Sequence, residues 1–175
     1  PKGPPMDLKS FIRNIPDFPK KGILFRDIMP LLGDALALRF AVDSLAAPYR
    51  GRGITKVVSA EARGFIFGPA VAYQLQAGFA AVRKPGKLPY KSRRVTYDLE
   101  YGTDTLALHE DAVRPNEAVL LVDDLLATGG TMAACAKLVE GLGGKVAGVA
   151  FLIELTELKG REKLKDYEVL SLIKF

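Results

Sequence analysis

The sequence predicts a single α/β domain with a mainly parallel central sheet flanked by helices. Three observations carry that expectation. Short β-rich runs recur along the chain, they are almost continuously apolar rather than alternating, and helical or loop signals follow each one. Continuously apolar strands suit a sheet buried on both faces. Strands that alternate with helices imply right-handed crossovers and parallel pairing.

Taken in order, residues 6–33 lie outside the repeating units and are expected to form a small hood. Asp34 is placed to cap a helix through ALALRFAVDSLAA. ITKVVS (Ile54 to Ser59) reads as the first strand, GFIFGPAVAYQLQAG (Gly64 to Gly78) as a helix, and FAAV (Phe79 to Val82) as the next strand. VTYDLEYGTDTLALHE shows partial alternation about Gly102, which predicts an antiparallel pair inserted as a flap; flexible loop and flap together span about residues 83–105. AVLLV (Ala118 to Val122) and VAGVAFLI (Val146 to Ile153) supply two further strands. Between them TMAACAKLVEGLGG (Thr131 to Gly144) places Met132, Cys135, Leu138, Val139 and Leu142 on one helical face and ends in glycines. The tail EVLSLIKF falls outside the repeating units and is expected to join the hood.

At 175 residues the chain suits one domain, which at this size buries about two thirds of its unfolded surface. No apolar run approaches the roughly 20 residues that span a bilayer, and no charged-then-apolar leader opens the sequence. A cytoplasmic setting is expected, with PKGPP (residues 1–5) read as a remnant or frayed end. One cysteine, Cys135, and one histidine, His109, argue against a disulfide or a thiolate or imidazole metal cluster. Cys135 reads as a buried small hydrophobe and His109 as a surface residue. The formal charge of +5 suits small polyanions as well as nucleic acid. Much of it sits in RKPGKLPYKSRR, where Arg83, Lys84, Lys87, Lys91, Arg93 and Arg94 share a Pro- and Gly-interrupted loop.

The most informative stretch is AVLLVDDLLATGGT. Backbone amides of a Gly-rich turn that opens a helix converge on one spot, where the helix dipole favours an anion. Ala127, Thr128, Gly129, Gly130 and Thr131 form such a turn. No Lys follows these glycines and no G-x-G-x-x-G occurs, which disfavours nucleoside triphosphates and dinucleotides. A Gly-Gly turn alone is an ordinary βα connection. The adjacent Asp123 and Asp124 change that, because paired carboxylates at a buried strand end need donors or a cation. A ribose bearing a 5-phosphate meets both demands, with the phosphate in ATGGT and the hydroxyls on Asp123 and Asp124.

VLLVDDLLATGGT resembles the phosphoribosyl diphosphate (PRPP) signature of the type I phosphoribosyltransferases. IPDFPKKGILFRDI, EARGFIFGPA, RKPGKLPY, YDLEYGTDTL and LTELKGREKL resemble, in order, segments of the adenine phosphoribosyltransferase family. The likeness runs from Ile15 to Leu164.

That resemblance implies transfer of phosphoribose from PRPP to adenine, giving AMP and diphosphate. It assigns Ala62, Arg63, Arg83, Lys84 and Lys87 to the diphosphate, and it implies a cis peptide between Glu61 and Ala62. SAEARG stands where many relatives have Gly and Ile before the Glu, a departure that bears on the fine geometry of this loop. The Leu24 amide and the Arg26 carbonyl would read adenine while Phe25 packs on its ring. Glu100 would manage the purine proton, and Tyr101 would close the flap. Mg²⁺ would be held mainly by PRPP and water, with no direct protein ligand, and the assembly would be a homodimer. Lys91, Arg93 and Arg94 match nothing specific and read as solvated. Two rivals are a transferase for another purine and a PRPP-sensing regulator; no segment of helix-turn-helix size precedes the sheet to support the second, so neither nucleic acid nor membrane is an expected partner.

Overall fold

A computed structural model describes residues 6–99 and 101–175. Residues 1–5, read as a remnant, and Glu100, the expected proton-handling residue, lie outside the described residues. Near the start, β1 (Arg13–Pro16) and β2 (Leu24–Asp27) form an antiparallel hairpin, followed by α1 (Met29–Gly33) and α2 (Ala35–Ala46). The Asp34 carboxylate accepts from the amides of Leu36 and Ala37, the N-cap that the sequence predicts.

The core is a five-stranded parallel sheet made of β3 (Lys56–Ala60), β4 (Gly78–Val82), β7 (Ala118–Leu126), β8 (Lys145–Glu154) and β9 (Val169–Lys174). Its spatial order is β4-β3-β7-β8-β9. Helix α3 (Gly64–Leu75) connects β3 to β4, and α4 (Gly130–Gly141) connects β7 to β8. Successive residues of β7 point to opposite faces. Leu120 and Val122 pack with Leu45 of α2 and Phe67 of α3, whereas Val119 and Leu121 pack with Cys135 and Leu138 of α4. Burial on both sides is why these strands read as unbroken apolar runs.

Strands β5 (Ser92–Asp98) and β6 (Thr103–His109) form the inserted antiparallel pair, tied to the end of β4 by a bridge between Arg83 and Ala107. Leu106 and Leu108 of β6 are buried in the cluster beneath α4, so the base of the flap belongs to the core.

Three expectations need correction. The tail is not part of the hood: it is β9, parallel to β8, with Ile173 buried. A short run of half-buried apolar residues serves an edge strand as well as a cover, and only pairing decides between them. Strand β7 continues through both aspartates to Leu126 instead of stopping at Val122. Helix α3 stops at Leu75, short of the expected Gly78, because Gln76 adopts the left-handed conformation with φ of 55°.

Candidate active site

In a parallel sheet the chain leaves every strand at the same edge, and ligands bind there where neighbouring connections diverge. The divergence in this sheet falls between β3 and β7. Its two loops are Glu61 to Arg63 after β3 and Ala127 to Gly129 after β7, which are the segments singled out by sequence.

Asp123 and Asp124 lie near the end of strand β7. Asp123 Oδ1 accepts from the Asp124 amide at 2.8 Å, and Arg63 Nε stands 2.9 Å from Asp124 Oδ2. Asp123 sits against the start of α3: a Cβ on Gly64 would lie 2.8 Å from its Oδ1, so the helix can approach only through a glycine. Burial, followed by the neighbouring Asp124 charge, drives the Asp123 carboxyl well above the usual carboxylate range. Residues Ala127 to Thr131 and Asp123 line a hollow of about 80 Å³ over the N-terminus of α4.

The hood meets this site from the other side. Ile23, Leu24, Phe25, Arg63, Asp124 and Leu125 line a mainly apolar pocket of about 130 Å³, floored by Ile153. Phe25 packs edge-on against Phe18, with centroids 5.1 Å apart, and the Arg63 guanidinium lies 5.4 Å from its ring. Arg26 lines this pocket too, and its side chain also ties the hairpin to the chain end. It donates to Asn14 Oδ1 at 2.6 Å and stacks 3.8 Å over the Phe175 ring. A larger hollow of about 300 Å³ between Met6 to Lys9 and Leu172 to Lys174 collects none of the predicted site residues.

Glu61, which sequence reasoning named only for its peptide bond, organises the basic loop. The Glu61–Ala62 peptide is cis. The Glu61 carboxylate accepts from the Lys84 amide at 2.7 Å and from Lys87 Nζ at 3.0 Å, and it stands 3.4 Å from Arg83 Nε. The Lys84 amide, followed by Lys87 and Arg83, holds its carboxyl below the ordinary value of 4.5. One carboxylate thereby gathers three predicted diphosphate residues beside Ala62 and Arg63. The Lys84 ammonium itself pairs with Asp104 of β6, which holds that carboxyl low as well.

Tyr101 lies in the turn joining β5 to β6 and is 87% exposed. Arg93 is exposed, as expected, and donates to the Gly141 carbonyl at the C-terminus of α4, where a cation complements the helix dipole. His109 is partly covered by Tyr90, and Cys135 is fully buried with its thiol pKa pushed up by burial. Neither faces the site.

A family model described as the phosphoribosyl transferase domain matches residues 32–175. The chain belongs to the phosphoribosyltransferase family. An adenine phosphoribosyltransferase of Clostridium perfringens is 61% identical over 170 residues, spanning 97% of this chain and 99% of that protein. The crystal structure of the adenine phosphoribosyltransferase from Thermoanaerobacter pseudethanolicus superposes with a TM-score of 0.93 at 55% identity, covering 97% of this chain and 98% of that one. An APRTase from Giardia lamblia, complexed with 9-deazaadenine, gives a TM-score of 0.91 at 41% identity over 97% and 96% of the two chains. Phosphoribosyltransferase membership fits a Gly-rich loop that opens a helix beside two acids.

Proposed function

We propose that the protein transfers phosphoribose from PRPP to adenine, forming AMP and diphosphate. One observation carries the reading: the hood strand β2 and the Arg63–Asp124 pair line the same pocket, and that pocket adjoins the Gly-rich loop at α4. A base in the hood and a ribose phosphate at the sheet edge would then meet at the anomeric carbon.

In that reaction the bond to diphosphate breaks as the bond to N9 of adenine forms. Positive charge develops on the sugar and negative charge on the leaving group, so groups of both signs must be fixed in advance. Ala127 to Thr131 would hold the 5-phosphate through backbone amides and two hydroxyls, while Asp123 and Asp124 accept from the ribose hydroxyls. Arg63, with Arg83, Lys84 and Lys87 gathered at Glu61, would take the diphosphate. The Leu24 amide and the Arg26 carbonyl would read adenine, since hypoxanthine and guanine present the reversed donor pattern and leave buried backbone groups unpaired. Glu100 is assigned the purine proton and Tyr101 the closing of the flap, both on the sequence likeness.

Asp123 and Asp124 are oxygen donors suited to Mg²⁺ or its bound water. In this reading the ion would rest mainly on PRPP oxygens and water. When bound, it offsets charge on the departing diphosphate. No helix among the described residues is long and apolar enough to cross a membrane; a cytoplasmic homodimer is the proposed setting.

The deciding assay supplies Mg²⁺ and PRPP with adenine, hypoxanthine or guanine and quantifies the nucleoside monophosphate. AMP from adenine, with little product from the other two bases, supports the reading. Consumption of hypoxanthine or guanine in preference would move the protein to another purine, and no consumption of any base would remove the transferase assignment.

A further inference from the structure

The segment LKGREKL resembles the family, but the reading above gives it no task. Its backbone is seated on the Gly-rich loop by two mutual close approaches. A Cβ on Gly129, which has φ of 83°, would run into the Gly160 carbonyl oxygen, and a Cβ on Gly160 would run into that of Ala127. Glycine at both positions lets the two backbones touch.

Two side chains then fix the turn. Arg161 donates to both carboxylate oxygens of buried Glu154, at 2.7 and 2.8 Å, to the Val169 carbonyl at 2.9 Å and to Ser171 Oγ at 3.0 Å. Leu164 is buried in the cluster beneath α4. Lys163 lies between these anchors, and its ammonium stands 3.8 Å from where a Cβ on Gly130 would be, over the first residue of α4. No ion pair among the described residues engages it. The loop residues Ala127 to Thr131 carry no cation of their own, while Asp123 and Asp124 put negative charge one step behind them.

We infer that Lys163 is a binding residue for the 5-phosphate of the ribose. It is held over the α4 N-terminus so that an ammonium meets the phosphate from the side opposite the backbone amides. This rests on the reading of Ala127 to Thr131 as the 5-phosphate site. A phosphate monoester carries close to two charges at neutral pH, and amides of one loop with two neutral hydroxyls leave much of that charge facing solvent. A lysine in reach adds a charge-assisted hydrogen bond. Glu154, Arg161 and the glycine pair are positioning elements for it.

The test compares AMP, which has the 5-phosphate, with adenosine, which lacks it, by calorimetric titration of the full chain. Lys163→Met is expected to weaken AMP about five- to tenfold, allowing for the exposure of the lysine, and to leave adenosine unchanged. Lys163→Arg should recover most of the loss, and Lys137→Met, an exposed lysine elsewhere on α4, should change neither ligand. Equal losses for AMP and adenosine would mean a general disturbance of the site and would overturn the inference. So would an unchanged AMP affinity in Lys163→Met while the wild type prefers AMP over adenosine. A wild type with no preference for AMP overturns the 5-phosphate reading itself, and this inference with it.

Discussion

Arg63 Nε lies 2.9 Å from Asp124 Oδ2, joining the loop after β3 to the end of β7. One residue was selected from sequence for the diphosphate and the other for the ribose. Their pairing holds both strand ends at a fixed spacing, and the proposed reaction needs that spacing across the anomeric carbon. Arg63→Met and Asp124→Asn should each raise the PRPP KM by about tenfold or more. In a double-mutant cycle the two effects should be non-additive by on the order of 1 kcal/mol. Simple additivity would show that each residue meets PRPP independently.

Asp123 exchanges stability for binding. Its folded-state pKa is raised above 3.8 by burial and then by Asp124, so ionisation costs folding energy once the pH rises above that ordinary value. Asp123→Asn should therefore raise stability near pH 7 by about 1 kcal/mol and weaken PRPP binding. Below the ordinary pKa of 3.8 both chains hold a neutral group and the gain should vanish. Urea denaturation at several pH values checks this; a variant less stable than wild type at neutral pH would contradict it.

Glu61 gives the opposite pH signature. Its folded-state pKa lies below 4.5, so its hold on residues 83–87 is present above that value and is lost as the pH falls through the depressed one. Amide hydrogen exchange in this loop should quicken in Glu61→Gln at pH 7, and in the wild type only under acid. The variant should also raise the PRPP KM several-fold, about 1 kcal/mol, through the released loop. Unaltered exchange would demote Glu61 from organiser to neighbour.

Glu100→Ala should lower turnover by on the order of a hundredfold with PRPP affinity retained, as expected for loss of proton handling alone. Near-normal turnover would take Glu100 out of the mechanism, whereas a matched loss of PRPP affinity would make it a binding residue.

Much of the fold was legible because its causes are local. Unbroken apolar runs revealed a sheet covered on both faces, Asp34 revealed a helix start, and a Gly-rich turn after two acids marked a candidate anion site at a strand end. Contacts between segments distant in the chain were not. The tail EVLSLIKF carries no local mark that separates an edge strand from a hood, and pairing with β8 made it β9. Nothing near Glu61 in sequence announces that it will gather Arg83, Lys84 and Lys87, because those bonds depend on β3 and β4 lying side by side. Arg93 is exposed, as expected, but its bond to the end of α4 depends on where the hairpin lies. Lys163 became a candidate only when Gly129 and Gly160 brought its turn onto the loop. Sequence alone marked most of the donors, acceptors and charges that the proposed reaction would use, because residue type and spacing set them. Tertiary structure decided which of them meet, because strand order and backbone close approach set distances that no local pattern encodes.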